Sequence, residues 1–397
     1  MLRPYQQLAF DAIQQDITVP GASLVVLPTG SGKSHIIAAA ATLRQPVLIL
    51  QPSQELLRQN YDKLAAIVDT NDIGIYSASF NRHEVHTYTF ATIQSVYKKP
   101  ELFMHIKTVI IDECHNLAPR TIDTMYPTFL SAIGSPKIIG TTATPFRLEL
   151  GYYKTGGSLQ QATMLKLLNR MRHRDAKELF WKRIIHINSY RELLDAGYLS
   201  PLEYIQQPLI PYQEIPVNIS HSDYNLEGYT QAIIGQQAKI LSTIAEAQRR
   251  YKSILVFCAT TVQAQELSAI IRGSACVFGD TDTKERTAII DGFKNGSIQT
   301  VFNMGVLTTG FDKPDLDCII LLRPTRSPVL YNQMLGRLTR IAPGKPKGTV
   351  IDLTDTVRAM GRIESFELYR NARGLWDLRT ERHATWHDRV LFTRTIQ

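Results

Sequence analysis

The stretch ASLVVLPTGSGKS, residues 22–34, decides the fold of the first half of this sequence. Residues 22–27 form an apolar run that is typical of a buried strand, and a helical pattern follows from Lys33 to position 43. The loop between them carries Gly30 and Gly32, which allow backbone N–H groups to turn toward a phosphate at the helix N-terminus. The stretch therefore predicts a phosphate-binding loop.

This loop departs from the strict pattern G-x-x-x-x-G-K-[ST] at its first position, where Leu27 stands in place of glycine. An ordinary glycine-rich turn is the alternative interpretation. We favour nucleotide binding, because Lys33 is placed to reach the β- and γ-phosphates and the Ser34 hydroxyl to ligate Mg²⁺. The predicted nucleotide-binding residues of the loop are Thr29, Gly30, Ser31, Gly32, Lys33 and Ser34.

Two adjacent carboxylates, Asp112 and Glu113, end a second apolar run at residues 109–111. The carboxyl ends of buried strands are where ligands bind in open α/β sheets. We expect Asp112 to hold Mg²⁺ through water and Glu113 to polarise the water that attacks a γ-phosphate. The alternative is the first turn of a helix, where acidic residues are also favoured.

Short apolar strands alternate with amphipathic helices through most of the sequence, which predicts an α/β fold with parallel sheets and helices on both faces. The predicted strands form one series at 22–27, 46–50, 108–111 and 137–140, and a second at 253–257, 275–278, 300–303, 317–322 and 348–353. A less periodic stretch separates the two series, so we place a domain boundary near residue 195. The predicted domains are residues 1–195, with a basic insertion at about 151–186, residues 196–356, and an extension at 357–397.

Composition narrows the class of protein. The 397 residues, 44% hydrophobic and 20% charged, are typical of a globular protein with more than one domain. The sequence has no run of eighteen apolar residues and no apolar stretch of signal-peptide length at its start, so we expect no membrane partner. The four cysteines lack CxxC spacing, which favours a reducing compartment, and we expect a cytoplasmic, nucleoid-associated location. The formal net charge of +8 is compatible with a polyanionic partner.

The second half carries the segment QMLGRLTR, residues 333–340. Arg337 and Arg340 are three positions apart, so on a helix they would share one face, with Gln333 one turn earlier. Guanidinium groups from another domain stabilise the charge that builds on the γ-phosphate oxygens during attack. A solvated basic face is the alternative. Gly336 permits a close backbone approach, and it favours a catalytic role for Gln333, Arg337 and Arg340.

These motifs stand in the order found in superfamily 2 helicases of the DEAD/DEAH-box type, with a DECH box, and the sequence resembles them over residues 1–356. The resemblance is carried by LRPYQ at 2–6, PTGSGKS at 28–34, DECH at 112–115, TATPFR at 142–147, GFD at 310–312 and QMLGRLTR at 333–340. Within the superfamily, AGYLSP at 196–201, VLTTGFD at 306–312 and IAPGK at 341–345 are similar to the bacterial RadD-type DNA repair helicases. XPB-like and UvsW-like helicases resemble the chain more loosely.

The resemblance implies two tandem RecA-like domains that clamp ATP and Mg²⁺, and it implies further roles position by position. Contact with the adenine and the nucleotide cleft would come from Arg3, Gln6, Gly310 and Asp312, and coupling to domain movement from Thr142 and Thr144. Contacts to a nucleic-acid strand would come from Gln54, Arg58, Thr92, Thr260, Gly279 and Thr309. Hydroxyl, amide and backbone groups position phosphates without reading bases, so binding is expected to be independent of base sequence.

Two segments lie outside this pattern. In the basic stretch 164–183, apolar residues are interleaved with basic ones, and we expect one or two amphipathic helices whose Arg170, Arg172 and Arg174 grip a DNA duplex or junction. A solvated helical face is the alternative there. For the extension at 357–397, we favour a short helical cap on the second domain. The alternative is a surface of arginines and aromatic residues that binds single strands. The RadD type continues into a cysteine-rich zinc-binding region without a counterpart in these residues, so no protein partner is carried over.

The sequence as a whole predicts an ATP-dependent DNA helicase or translocase, acting on single-stranded, forked or branched DNA in repair, recombination or replication. We expect a monomer or a weak oligomer. An RNA helicase or RNA-stimulated ATPase, and a double-strand translocase that does not unwind, stay open as alternatives. A non-catalytic binding module would be indicated by a broken lysine, acid or arginine motif, and none of these is broken.

Overall fold

The computed structural model describes residues 2–117, 125–134, 136–155, 158–168, 179–218, 223–307, 311–383 and 390–395, with the backbone alone at 149–155, 158–164 and 390–395. The chain divides into two compact units. Unit 1 comprises Met1–Arg147, Lys166–Ser189 and Ala372–Trp376, and unit 2 comprises Leu148–Leu165, Tyr190–Asn371 and Asp377–Gln397. Within the described ranges, no helix has both the length and the apolar character needed to span a membrane.

Strands and helices alternate along most of the chain. The strands are β1 (Ala22–Val26), β2 (Val47–Gln51), β3 (Ile73–Ser77), β4 (Arg82–His83), β5 (Tyr88–Thr92), β6 (Thr108–Asp112), β7 (Lys137–Thr142), β8 (Phe146–Thr155), β9 (Ser158–Leu167), β10 (Trp181–Ile187), β11 (Leu202–Gln206), β12 (Ile254–Cys258), β13 (Ser274–Val277), β14 (Thr300–Asn303), β15 (Cys318–Leu322), β16 (Gly348–Asp352), β17 (Glu367–Arg370), β18 (Trp376–Arg379) and β19 (Val390–Thr395). The α-helices are α1 (Pro4–Asp16), α2 (Lys33–Ala41), α3 (Gln54–Ala65), α4 (Ile93–Val96), α5 (Met125–Ala132), α6 (Tyr190–Asp195), α7 (Leu226–Ala232), α8 (Gln237–Arg250), α9 (Thr261–Ile270), α10 (Thr283–Asn295), α11 (Pro328–Leu335) and α12 (Thr356–Met360).

Unit 1 is built on a sheet with the strand order β10-β1-β7-β6-β2-β5-β3-β4. Its neighbouring strands pair in parallel, except for β3 and β4, which are antiparallel. Strands β1, β2, β5 and β6 are buried along their whole length, as expected for parallel strands with helices on both faces. Because these strands are parallel, their carboxyl ends meet at one edge, which carries the glycine-rich loop after β1 and the acidic pair at the end of β6.

Unit 2 has a second sheet, with the strand order β11-β16-β15-β12-β14-β13 and parallel pairing throughout. Its core joins the apolar residues of β12 and β15 to those of α8 and α9, among them Ile244, Ile254, Leu267 and Cys318. Every strand predicted in the two series is present, and its bounds lie within two residues of those expected. The prediction of an α/β fold with two parallel sheets is therefore confirmed.

The helices predicted for the basic stretch are wrong wherever the structure describes it. The stretch begins in β9, which pairs antiparallel with β19, and it ends in β10. Leu165 and Leu167 are buried on either side of the half-buried Lys166, which is the two-residue alternation of a strand rather than the period of a helix. Outside the described residues lie Arg170, Arg172 and Arg174, so their contact with DNA stays a prediction.

The predicted helical cap of the extension is also wrong beyond α12. This short helix ends at Gly361, whose φ of 88° lies in the left-handed region. The chain then forms the two-stranded sheet of β17 and β18. Arg379 makes a bidentate ion pair with Glu367, with both distances 3.0 Å, and its guanidinium lies 4.9 Å from the centre of the Tyr369 ring. Charge pairs and aromatic contacts of this kind stabilise sheets, and the composition alone did not distinguish them from a helix surface.

Candidate active site

The glycine-rich loop lies between β1 and α2. Gly30 and Gly32 have φ of 85° and 77°, in the left-handed region that other residues disfavour. A Cβ atom at Gly32 would also lie 2.7 Å from the Nε2 atom of Gln6. The N–H and the hydroxyl of Ser31 both donate to the Pro28 carbonyl, at 3.2 and 2.7 Å. The loop therefore has the backbone conformation, next to a helix N-terminus, that phosphate binding uses.

The start of α1 contacts this loop. The Nε2 of Gln6 donates to the Ser31 carbonyl at 3.0 Å, and the Tyr5 hydroxyl donates to the same oxygen at 2.5 Å. The Oε1 of Gln6 accepts from the Arg3 N–H at 2.9 Å, so its hydrogen-bond partners determine the orientation of the amide. Thr29 is half-buried in the loop. Arg3 and Gln6, expected to lie at the adenine, are thus beside the phosphate loop, and their contact with a base stays a prediction.

Asp112 ends β6 and is held by three donors. The Thr141 hydroxyl and the Glu113 N–H donate to Oδ1, at 2.9 and 3.0 Å, and the Asn60 amide donates to Oδ2 at 3.1 Å. Burial and the neighbouring Glu113 carboxylate raise the pKa of Asp112. Each carboxylate oxygen accepts about two hydrogen bonds. Among the described residues Oδ2 receives one, so it retains capacity for a water molecule.

Glu113 faces both the phosphate loop and His115. Its Oε1 lies 3.7 Å from the Lys33 Nζ, and its Oε2 lies 3.3 Å from the His115 Nδ1. Glu113 has a φ of 46°, so the strand ends in a sharp left-handed turn at the carboxylate itself. Such a conformation in a residue other than glycine is typical of functional sites. The arrangement places a carboxylate beside the lysine that would hold the γ-phosphate.

The oxygen atoms present fit a nucleotide-bound Mg²⁺. Ser34 supplies a hydroxyl, which accepts from the Gln59 Nε2 at 3.4 Å, and Asp112 supplies a buried carboxylate. Mg²⁺ in such sites takes one or two protein oxygens and keeps several waters and phosphate oxygens. Among the residues that the structure describes, no group of three or more His, Cys, Asp or Glu could hold a metal ion. The donors therefore suit a metal that arrives with a nucleotide.

His115 connects the carboxylates to the two threonines expected to couple hydrolysis to movement. Its Nδ1 lies 3.0 Å from the Thr142 Oγ1 and 3.1 Å from the Thr144 Oγ1. The Thr144 N–H in turn donates to the Thr142 Oγ1 at 3.0 Å. No role for His115 was predicted from the sequence, although its place two residues after Glu113 was a usable signal. The structure brings Glu113, His115 and both threonines into one network.

The arginine segment of unit 2 follows the end of α11. The helix ends at Leu335, and the next turn has a bond of the i→i+3 type from the Arg337 N–H to the Met334 carbonyl, at 3.4 Å. The Thr339 hydroxyl donates to the Gly336 carbonyl at 2.9 Å, and this side-chain bond competes with a continued helix. The prediction that the two arginines share a helical face is therefore wrong.

Arg337 and Arg340 nevertheless contact the segment expected to line the nucleotide. Arg337 donates to the Phe311 carbonyl, and Arg340 forms an ion pair with Asp312. Burial lowers the pKa of Arg340 to about 10. Gln333 is half-buried in the last turn of α11. Within unit 2, Arg340 is thus held beside the Asp312 carboxylate and Arg337 beside the neighbouring Phe311 carbonyl.

Lys345 fixes the turn that carries these arginines. Its ammonium group donates to the carbonyls of Leu338, Arg340 and Pro314, at 2.7, 2.9 and 3.1 Å. Burial lowers the pKa of Lys345 to about 8, although nearby carboxylates act in the opposite direction. Lys345 was predicted only as part of the family resemblance at 341–345, because nothing in its local sequence predicts a buried lysine.

The residues expected to contact a nucleic-acid strand lie at the carboxyl edges of the two sheets. Those within the described residues are Gln54, Arg58, Thr92, Thr260 and Gly279. Gln54 and Arg58 are exposed on α3, whereas Thr92 is buried at the end of β5 with its hydroxyl 2.9 Å from that of Ser95. Thr260 caps the start of α9 by accepting from the Gln263 N–H at 3.2 Å. Outside the described residues lie Thr309 and Gly310.

Comparison with known proteins gives the family. Residues 1–147 match the model of the type III restriction enzyme res subunit, and residues 236–342 match that of the helicase conserved C-terminal domain. IRC3 of Saccharomyces cerevisiae, which is named as an ATP-dependent helicase, is 26% identical over 377 residues. The match covers 89% of this chain and 51% of that protein. The DNA 3'-5' helicase XPB of Mycobacterium tuberculosis is 28% identical over 361 residues, covering 85% of this chain and 58% of that protein.

Solved structures show the same fold at low identity. The ATP-dependent type ISP restriction-modification enzyme LlaBIII, bound to DNA, superposes with a TM-score of 0.60 at 15% identity, covering 89% of this chain and 28% of that one. Dbp5 of S. cerevisiae, bound to RNA and ADP BeF3, gives a TM-score of 0.57 at 15% identity, covering 90% of each chain. The likeness establishes the RecA-like fold of the two domains and nothing further.

The two family models, the two parallel sheets and the order of the motifs agree: this chain belongs to helicase superfamily 2. It spans 51%, 64% and 58% of the length of three curated relatives that it matches. The narrower resemblance to RadD-type helicases stays a prediction.

Proposed function

We propose that this protein is an ATP-dependent helicase or translocase that acts on DNA. The observation that carries the proposal is the cluster at the carboxyl edge of unit 1, where the Lys33 Nζ lies 3.7 Å from the Glu113 carboxylate and Glu113 follows the buried Asp112. A lysine on a phosphate loop, a carboxylate for the metal and a second carboxylate for the water are the groups that γ-phosphate hydrolysis uses.

Within unit 1, each group has a separate task. The loop N–H groups and Lys33 would hold the phosphates, while the Ser34 hydroxyl and the Asp112 carboxylate would hold Mg²⁺. When bound, Mg²⁺ neutralises charge on the phosphate oxygens. Glu113 accepts a hydrogen bond from the attacking water and polarises it. Asp112 holds the Glu113 N–H, and His115 lies beside the Glu113 carboxylate.

The remaining charge is supplied by unit 2. Arg337 and Arg340 would donate to the oxygens of the γ-phosphate as charge develops on them, and Gln333 would help to place the water. Because the lysine and the arginines belong to separate units, we expect hydrolysis to require that the units close around the nucleotide. A nucleic-acid strand bound along the carboxyl edges of both sheets would favour closure, and release of phosphate would reverse it.

Support for DNA as the substrate comes from the relatives. The M. tuberculosis relative and a second one from Kineococcus radiotolerans, 27% identical over 369 residues, are both named DNA helicases. The net charge of +8 suits a polyanion of either kind. Structural neighbours have been solved with DNA and with RNA, so RNA is the competing outcome of the test.

The test is a set of ATP hydrolysis and unwinding assays on the wild-type chain. Hydrolysis is measured with single-stranded DNA and RNA oligonucleotides of the same base sequence, and unwinding with a fluorescently labelled DNA fork and its RNA counterpart. We expect DNA to stimulate hydrolysis more than RNA, and the fork to be opened only with ATP. Stimulation of hydrolysis by RNA alone would show that the substrate is RNA rather than DNA. Stimulation by duplex DNA without fork opening would indicate a translocase that does not unwind.

A further inference from the structure

A row of buried polar side chains crosses unit 1 along the carboxyl edge of its sheet. Asp112 is in register with Thr141 of β7, and Gln51 is in register with Thr92 of β5. The register between β2 and β6, continued by one residue, places Gln51 beside Asp112. Residues in register on neighbouring strands point to the same face of a sheet. Gln51 therefore lies between the carboxylate expected to hold Mg²⁺ and a threonine expected to contact the nucleic-acid strand.

Gln51 has unused hydrogen-bonding capacity in this position. Its side chain is fully buried, and neither its Nε2 nor its Oε1 has a hydrogen-bond partner among the described residues. The Oδ1 of Asn60 has none either, although the Nδ2 of the same amide bonds Asp112. Buried amides are nearly always paired, so an exception calls for an explanation, which can be a ligand, a water molecule or a functional role. The row thus contains one amide without a fixed partner, next to an amide that holds a catalytic carboxylate.

Helix α3 connects the same two regions above the row. Its Gln59 donates to the Ser34 hydroxyl at 3.4 Å, and its Asn60 donates to Asp112 at 3.1 Å. Immediately before them in the helix, the exposed Arg58 belongs to the predicted strand contacts. A shift of α3 would therefore reach both oxygen donors expected for Mg²⁺, and a shift of the Asn60 amide would reach Asp112.

We propose that Gln51 is a positioning residue that couples nucleic-acid binding to the hydrolysis site. The inference rests on the function proposed above and deepens it. Neighbouring strands are about 4.8 Å apart, so the Gln51 amide can reach toward Asp112 and Asn60 on one side or toward Thr92 on the other. When the Thr92 hydroxyl donates to a strand phosphate, its lone pair becomes the acceptor for the Gln51 Nε2. Without the strand, neither the Gln51 Nε2 nor the Asn60 Oδ1 has a partner among the described residues, so strand binding would fix the Gln51 amide beside the amide that holds Asp112.

The test uses two variants of Gln51 and one matched control. Q51L and Q51M replace the amide with apolar groups of similar size, and Q51M keeps the unbranched shape in case the branched side chain prevents folding. The control is S77A. Ser77 ends β3 on the far side of Thr92, and its hydroxyl is also buried without a partner among the described residues. It shares the chemistry of an unpaired buried group but does not lie between Thr92 and Asp112.

Two quantities are measured for each protein. One is the factor by which a single-stranded oligonucleotide increases the affinity for a non-hydrolysable ATP analogue, and the other is the factor by which it stimulates ATP hydrolysis. Coupling between sites usually corresponds to factors of about 5–150, and we expect Q51L and Q51M to lower both factors at least ~5-fold. The affinity for each ligand alone should stay near that of the wild type. The melting temperature should not fall, because an unpaired amide contributes no hydrogen bond.

Several results would overturn the proposal. A folded Q51L or Q51M with wild-type coupling would show that Gln51 has no part in it, and equal loss in S77A would show a general disturbance of the edge. Failure of both Gln51 variants to fold would assign the residue a structural role. A wild-type protein that binds both ligands without hydrolysis would contradict the proposed function alone, since coupling of binding would still test Gln51. A wild type that binds neither ligand would contradict both.

Discussion

In unit 1 the candidate catalytic carboxylates end a strand of a parallel sheet, whereas in unit 2 the candidate catalytic arginines follow the end of a helix. Asp112 is bonded by side chains from β7 and α3 as well as by backbone. Arg337 is held by the Phe311 carbonyl and Arg340 by the half-buried Asp312 carboxylate, and Lys345 donates to the Arg340 carbonyl. The first half of the proposed site is therefore organised by the fold of its unit, and the second half by a few contacts that substitutions can remove singly.

The largest loss of activity is expected from substituting a candidate catalytic arginine of unit 2. Arg340→Ala should lower kcat on the order of 10³-fold with little change in ATP binding, because a γ-phosphate arginine acts mainly in the transition state. Steady-state hydrolysis with saturating DNA measures this. The matched control is Arg358→Ala, which removes a more exposed arginine that also pairs with a carboxylate in unit 2. Equal activity of the two variants would show that Arg340 has no catalytic role.

The carboxylate half should show a smaller loss for a single substitution. Glu113→Gln should bind ATP and turn it over at least ~10²-fold more slowly, the scale typical of one general base. Glu101→Gln changes an exposed carboxylate of the same unit and should behave as the wild type. If Glu113→Gln retained most of the activity, another group would have to activate the water.

Stability tests the claim that the sheet organises unit 1. A Cβ atom at Gly140 would lie 2.4 Å from Trp181 Cη2 and 2.8 Å from Cys114 Sγ, so Gly140→Ala should lower the free energy of unfolding by about 1–3 kcal/mol. Gly235→Ala is the control, since an added Cβ there meets nothing within 4 Å. Urea denaturation gives both values. An equal change in the two variants would contradict close packing behind Asp112.

The last effect, no larger than that of Gly140→Ala, should be a pH dependence that Lys345 gives to unit 2. Its pKa of about 8 in the folded chain is below its ordinary value of 10.5. Between those values the unfolded chain binds more protons, so the free energy of unfolding should rise with pH in that window. Because each unit of pKa shift corresponds to 1.36 kcal/mol, we expect the free energy of unfolding to rise by about 1–3 kcal/mol. Lys345→Met should abolish this rise. Urea denaturation at pH values near both pKa values measures the rise. The control is Lys347→Met, which changes a half-exposed lysine. Parallel slopes in the wild type and Lys345→Met would contradict the assignment.

Nine strands of the two parallel sheets and the phosphate loop were predictable because they are local patterns, whereas β3, β4, β5, β10 and β11 were not predicted. A run such as residues 108–111 is apolar whatever its neighbours are, and the glycines of the loop are needed by its own turn. The strand β10 was missed because Trp181 is buried against Gly140, which lies far away in the sequence. For the same reason, no role was predicted for Asn60, His115 or Gln51, whose neighbours are brought together by sheet register and by helix α3. The end of α11 was missed because a bond from Thr339 to Gly336 competes with the helix.

The central claim is that Glu113 of unit 1 and Arg340 of unit 2 act on one γ-phosphate. A double-mutant cycle on kcat, with Glu113→Gln, Arg340→Ala and the combined variant, tests it most directly. Groups that stabilise the same transition state give strongly non-additive losses, so the double variant should be about as slow as the slower single variant. Losses that multiply would mean that the two residues act independently, and the account of a shared site would be contradicted.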